Sequence, residues 1–291
     1  SRVLNARNHQ KGAGVWEYGG KEVNMTQWTP RHFKPGEAPP RKHGGILICY
    51  GHPSVGKSWF GVNTWDVADT LYYLNFDRDA SHLLERYAGA GGVYYEEFSA
   101  LTRTQAQACL EKMTGMKNVA MSAGKGVFVL DNFLHADEIV MLAKVDPDDR
   151  RGGLAHGPRN IWWRDFLFGL ERSGCWVILT APSKEIWTTI INPNTGNRTG
   201  QATGLFDPDG WKHVDYHVIG EVWLFTNRAL GAESSPQLGQ PIMEDVFMPA
   251  VPKQLEFRGK IMLAKKRSAI EGVILNNPTL KRVLQVMKEL D

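Results

Sequence analysis

The stretch Gly51-His52-Pro53-Ser54-Val55-Gly56-Lys57-Ser58 decides how this chain is read. Its two glycines let the backbone turn tightly, so that successive amide N–H groups can line a cradle for phosphate oxygens. A lysine follows the second glycine and a hydroxyl follows the lysine. The flanks supply the context such a loop requires. Before it, Ile46-Leu47-Ile48-Cys49-Tyr50 is a short apolar run bounded by glycine on both sides, as in a buried strand. After it, residues 57–69 read as a helix whose positive end would face the bound anion.

The residue types assign roles outward from this loop. Gly51, His52, Pro53, Ser54, Val55, Gly56, Lys57, Ser58 and the next residue, Trp59, are expected to contact a nucleotide, ATP. Lys57 would reach its β- and γ-phosphates, and Ser58 would offer a hydroxyl to Mg2+. Asp131 ends the apolar run Gly126–Leu130 and is the second candidate magnesium group, holding the ion through water. It could instead cap the helix that begins near Asn132. Asn132 itself cannot act as a base, so the carboxylate that polarises water must come from another strand. Asp77, just past the run Thr70–Asn75, is the leading choice and Asp79 the alternative; either could cap the helix near Ser81. Thr180 closes the run Cys175–Thr180 and is placed to sense the γ-phosphate or the attacking water, unless it only shapes a strand-end turn before Pro182.

Strand-like runs alternate with helical patterns through the middle of the chain, which predicts an α/β fold with a mostly parallel sheet covered by helices on both faces. Residues 1–44 show no sustained period and are basic and proline-rich, as in an extended arm. Residues 45–267 read as the folded core, and 268–291 as a helical tail. No apolar run reaches the roughly 18–20 residues that cross a bilayer, and the N-terminus has no apolar signal centre, so a cytoplasmic protein with no membrane partner is expected. Cys49, Cys109 and Cys175 are widely spaced, an odd set that suggests core packing rather than disulfides or a zinc site.

The order of these parts resembles the RecA-like ATPase core: the loop strand, an acid after the second strand, an Asp131 unpaired with glutamate, a strand ending in Thr180 and a late lysine-rich strand. It is most similar to the compact phage RecA-like ATPases of single-strand annealing and recombination, over about Gly45 to Arg267. Many AAA+ and packaging ATPases carry glutamate where this chain has Asn132. The resemblance implies an Mg2+-dependent ATP hydrolase. It also implies a catalytic acid at Asp77 and an oligomer. Ile261-Met262-Leu263-Ala264-Lys265-Lys266-Arg267 resembles the strand ending in a K-x-R pair in hexameric RecA-like helicases. By that likeness, Lys265 and Arg267 would reach across a subunit boundary to the neighbour's γ-phosphate.

A DNA partner, single-stranded, is expected at Lys184–His213, the place where RecA-like proteins carry DNA-binding loops. Lys184, Trp187, Arg198, Trp211 and Lys212 lie there among Gly196, Gly200, Gly204 and Gly210, which suits phosphate neutralisation and base stacking. The basic arm is a second contact. Asp207, Asp209 and Glu185 dilute the charge of the first. The chain departs from full recombinases in having no N-terminal oligomerisation helix followed by an FxxA-type motif. Recombination, annealing or helicase-like work, in a viral setting, is the expectation, with a genome-packaging motor as the alternative.

Overall fold

A computed structural model describes residues 17–18, 21–22, 44–77, 80–85, 87, 89–145, 156–191, 198–226, 257–264 and 270–287. The chain divides into a unit of Ser1–Arg41 and a unit of Lys42–Asp291. In the first, two short strands, β1 (Glu17–Tyr18) and β2 (Lys21–Glu22), pair antiparallel.

The second unit is organised by one sheet. Its strands are β3 (Gly45–Gly51), β4 (Thr70–Asn75), β5 (Gly92–Glu97), β6 (Val127–Asp131), β7 (Trp176–Ile191), β8 (Arg198–Pro208), β9 (Val218–Thr226), β10 (Phe257–Ala264) and β11 (Ile274–Asn276). They lie in the order β11-β10-β9-β3-β7-β6-β4-β5, with β8 paired to β7. From β9 to β5 every pairing is parallel, whereas β10 and β11 add an antiparallel edge. This is the mostly parallel sheet predicted from the alternation of strands and helices.

Both faces are covered because the central strands alternate between two apolar cores. Along β3, Ile46, Ile48 and Tyr50 enter one core with α3 (Arg103–Ala123), α4 (Phe133–Lys144) and α5 (Gly157–Ser173). Leu47 and Cys49 enter the other, with α1 (Lys57–Val62), α2 (Ser81–Leu84) and α6 (Leu280–Val286). The helix ends follow local chemistry. Thr102 and Gln105 form a reciprocal capping box at the start of α3, and Gly124, with φ 68°, ends it. All three cysteines are buried and free, and fill these cores.

Three stretches differ from the sequence reading. α1 stops at Val62 rather than near Asp69; Asn63 leaves the helical conformation while its N–H still bonds Trp59 O, and the chain turns through Thr64. The segment read as a helical tail contributes β11 to the sheet, and α6 buries Leu280, Val283 and Leu284 beneath it. The segment 184–213, whose scattered glycine, asparagine and threonine read as turns, contains an antiparallel ribbon. β7 loses β3 as a partner after Pro182, runs on to Ile191, and pairs from Ser183 to Ile191 with β8. Among the described residues no helix is long and apolar enough to cross a membrane.

Candidate active site

The loop between β3 and α1 is curled by two residues with positive φ, Ser54 at 65° and Gly56 at 89°. Gly51 must lack a side chain, because a Cβ there would lie 2.3 Å from Leu224 O and 2.8 Å from Val55 Cγ2. Val55 is tucked in at 6% exposure, while His52, Pro53 and Ser54 stay open to solvent. Inside the curl, the Lys57 ammonium donates to Gly51 O at 3.0 Å and His52 O at 2.8 Å. Burial lowers its pKa, while the nearby Cys49, Asp131 and Asp77 act to raise it. Trp59 lines a cavity of about 80 Å³ beside Gly56, together with Asn63, Phe257, Asn277 and Pro278.

Asp131 sits behind the loop at 1% exposure, with both carboxylate oxygens engaged. The Thr180 hydroxyl donates to Oδ1, and the Tyr73 phenol donates to Oδ2. Three strands place these groups, with β7 lying between β3 and β6. Cys49 pairs with Thr180 across β3 and β7, and Asn75 with Asp131 across β4 and β6. α1 closes down on them at Gly61, where a Cβ would lie 2.9 Å from Val129 Cγ1, 3.8 Å from Tyr73 Cε2 and 3.9 Å from Thr180 Cγ2.

The helix cap that the sequence allowed for Asp131 is supplied by its neighbour. Asn132 Oδ1 accepts from Leu134 N at 2.9 Å, so Asn132 starts α4. Asp77 does not cap a helix either, since α2 begins at Ala80 without a side-chain cap. Its N–H donates to Asn75 Oδ1 at 3.1 Å, and its carboxylate pairs with His135 Nδ1 at 3.2 Å. The Asp77 side chain is 43% exposed and its charge acts on Lys57. Lys57, Ser58, Asp77, Asp131 and Thr180 thus gather at one end of the parallel strands. Asp79, Lys265 and Arg267 lie outside the described residues.

Two contributors escaped the sequence reading, Tyr73 and His135. Tyr73 is fully buried in an apolar run and reads there as core. Its signal was the odd-numbered alternation of β4, which puts Leu71, Tyr73 and Asn75 on the Asp131 face. His135 lies three residues after Asn132 on α4, and no local pattern links it to Asp77.

The ribbon revises the expected DNA-contact set. Trp211 is 4% exposed, and its Nε1 donates to Asn160 Oδ1 at 2.9 Å, so it cannot stack on a base. Lys184 pairs with Asp209 at 3.1 Å. A cavity of about 390 Å³ at the ribbon's base sets Asp207, Asp215 and Glu221 against Lys184 and Lys212, a balance that disfavours phosphate. Trp187, in contrast, is 64% exposed, and its ring lies over Gly200, where a Cβ would come within 3.3 Å. Arg198 is also exposed. At its root the ribbon touches the phosphate loop: Tyr50 OH donates to Phe206 O at 3.3 Å, and the Phe206 ring meets His52 edge-on at 5.1 Å.

No family model and no curated protein matches the sequence. Among solved structures, a KaiC-like protein from the hyperthermophilic archaeon Pyrococcus horikoshii OT3 is similar over 81% of this chain and 90% of that chain, at 12% identity and a TM-score of 0.41. That likeness is slight.

Proposed function

We propose that this chain is an Mg2+-dependent, RecA-like ATPase that works as an oligomer on single-stranded DNA. The observation that carries the ATPase reading is the convergence of Lys57, inside a loop curled by Ser54 and Gly56, with a buried Asp131 directly behind it. The donor set fits a magnesium nucleotide. Loop amides and an ammonium suit phosphate oxygens, and a hydroxyl with a carboxylate suits a hard cation that prefers oxygen. Bound there, the ion would neutralise charge on the β- and γ-phosphates.

Each side chain then has a task. Lys57 exchanges the carbonyls of Gly51 and His52 for phosphate oxygens. Ser58 and Asp131 hold the cation, and Thr180 fixes Asp131. Asp77, at the mouth of the site, orients water and takes its proton, with His135 steering the carboxylate. Lys265 and Arg267 would complete a neighbouring subunit's site. DNA would meet the outer ribbon, where Trp187 offers an aromatic face beside Arg198. The resemblance to phage annealing ATPases suggests annealing, recombination or unwinding as the setting.

The test is ATP turnover with no DNA, with single-stranded DNA and with duplex DNA, repeated across a salt series. Stimulation by single strands that weakens with salt is expected. Stimulation by duplex alone would shift the reading to a packaging or translocating motor. Turnover indifferent to all nucleic acid would remove the DNA partner, and no turnover at all would remove the ATPase.

A further inference from the structure

Trp59 and Asn63 stand four residues apart on α1, joined by the bond from Asn63 N–H to Trp59 O at 2.9 Å, so they share one face. On the sheet edge, β10 begins at Phe257 and β11 ends just before Asn277. The Asn277 N–H donates to Phe257 O at 2.7 Å and ties these two together. Both pairs line the cavity of about 80 Å³, so each side brings one aromatic ring and one carboxamide. The phosphate loop forms the adjoining wall. Val55 and Gly56 line the same cavity, and a Cβ on Gly56 would come within 3.3 Å of the Phe257 ring. Simple packing does not account for this lining. Trp59 leaves 41% of its surface in solvent. The carboxamides of Asn63 and Asn277 have no hydrogen-bond partner among the described residues, and none of the described residues that line the cavity is charged. The space is well below the roughly 300–1,000 Å³ that encloses a drug-sized ligand, so it suits one flat group rather than a whole molecule.

Resting on the nucleotide reading above, we infer that this cavity is the base subsite and that it selects adenine. With the phosphates held in the loop, the base lies against Trp59 and Phe257, whose rings offer the kind of face on which any base can stack. Selection comes from the carboxamides. Each presents a donor beside an acceptor, which matches the N6 donor and N7 acceptor on one edge of adenine. Guanine presents two acceptors there, O6 and N7, and is best met by arginine or lysine. With no cation on these walls, guanine would leave acceptors unpaired.

The experiment measures affinity for ADP, GDP and inorganic pyrophosphate by calorimetry in Mg2+. The proteins are the wild type, Trp59→Ala and the double variant Asn63→Ala/Asn277→Gly. Glycine suits position 277, where φ is 47°. The wild type should bind ADP roughly five- to a hundredfold more tightly than GDP. Trp59→Ala should weaken ADP by a similar factor and leave pyrophosphate affinity within about twofold, since only the stacking face is lost. Retained pyrophosphate binding also shows that the loop is folded. In the double variant, ADP and GDP should bind within about twofold of each other. Equal affinity of the wild type for ADP and GDP would overturn the inference. So would an equal loss of ADP and pyrophosphate in Trp59→Ala, or an ADP preference that survives in the double variant. A wild type that binds none of the three would instead refute the nucleotide reading itself.

Discussion

Lys57 occupies its own loop, with two backbone carbonyls as partners in the space where phosphate oxygens would lie. Substituting it removes the charge that the site organises around. Lys57→Ala should lower turnover by at least about a hundredfold, the scale on which single electrostatic stabilisers act, and steady-state ATP hydrolysis is the check. Asp77→Asn keeps the shape of the β4 turn and removes only the carboxylate proposed as the base. A drop in kcat of roughly 10²- to 10⁴-fold with little change in KM is expected, whereas full activity would exclude Asp77 as the base. His135→Ala should do far less, since its pairing with Asp77 is exposed and such pairs contribute little.

At this scale the sequence was legible wherever a residue type is rare for its position. A lysine and serine after a glycine-curled loop, or an aspartate ending a buried strand, stand out against their surroundings. Tyr73 did not, because a tyrosine in Leu71-Tyr72-Tyr73-Leu74 is ordinary core until the partner of its hydroxyl is known. Likewise Asn132 could be excluded as a base from its chemistry, but its work as a cap needed the backbone of Leu134.

Among the elements, α4 and α5 are joined by a buried cluster. Asp137 of α4 accepts from Arg159 Nε at 2.8 Å and also from Arg159 Nη2, and from Trp163 Nε1 at 2.7 Å. Removing the arginine would leave a carboxylate at 5% exposure with one neutral donor. Arg159→Ala should therefore destabilise the fold by about 3–5 kcal/mol, measurable by chemical denaturation. The ribbon answers differently. Trp187 contributes nothing to the two cores, so Trp187→Ala should loosen the ribbon over Gly200 and leave the melting temperature of the rest of the fold nearly unchanged. If the ribbon binds DNA, the same change should weaken single-strand affinity by roughly 1–3 kcal/mol, and an unchanged affinity would move the contact elsewhere.

The elements were also where sequence patterns misled. The region 184–213 reads as turn-rich because glycine, asparagine and threonine are scattered through it. Cross-strand pairing overrides those local preferences: Trp187 covering Gly200 compensates for a glycine that would otherwise weaken a strand. The end of α1 at Val62 is a similar case, since the apolar pattern continues to Val67 and Ala68 although the helix does not.

The whole molecule carries an alkaline sensitivity. Burial raises the phenols of Tyr50, Tyr73 and Tyr87, the last to about 12. It also raises the thiols of Cys49, Cys109 and Cys175. In each case the folded pKa lies above the ordinary value, 10.0 for tyrosine and 9.0 for cysteine. The stability they contribute is complete below those values and is lost as pH rises through the folded ones. Among the described residues only Lys57 acts in the opposite sense. The melting temperature should fall from about pH 9 upward, with tyrosine ionisation at 295 nm following unfolding rather than preceding it. A melting temperature flat to pH 11 would contradict this.

The ribbon's root bears on the same scale. Nine residues of β7, from Ser183 to Ile191, leave the sheet as one arm of a stiff two-stranded lever, roughly 30 Å long at about 3.3 Å per residue. The fulcrum is Phe206, which touches Tyr50 of β3 and His52 of the phosphate loop. A lever of that length divides distance by its own ratio, so a swing of several ångströms at the tip becomes a fraction of an ångström at His52. If the proposed partners bind there, nucleic acid on the ribbon and a nucleotide in the loop would each bias the position of the other.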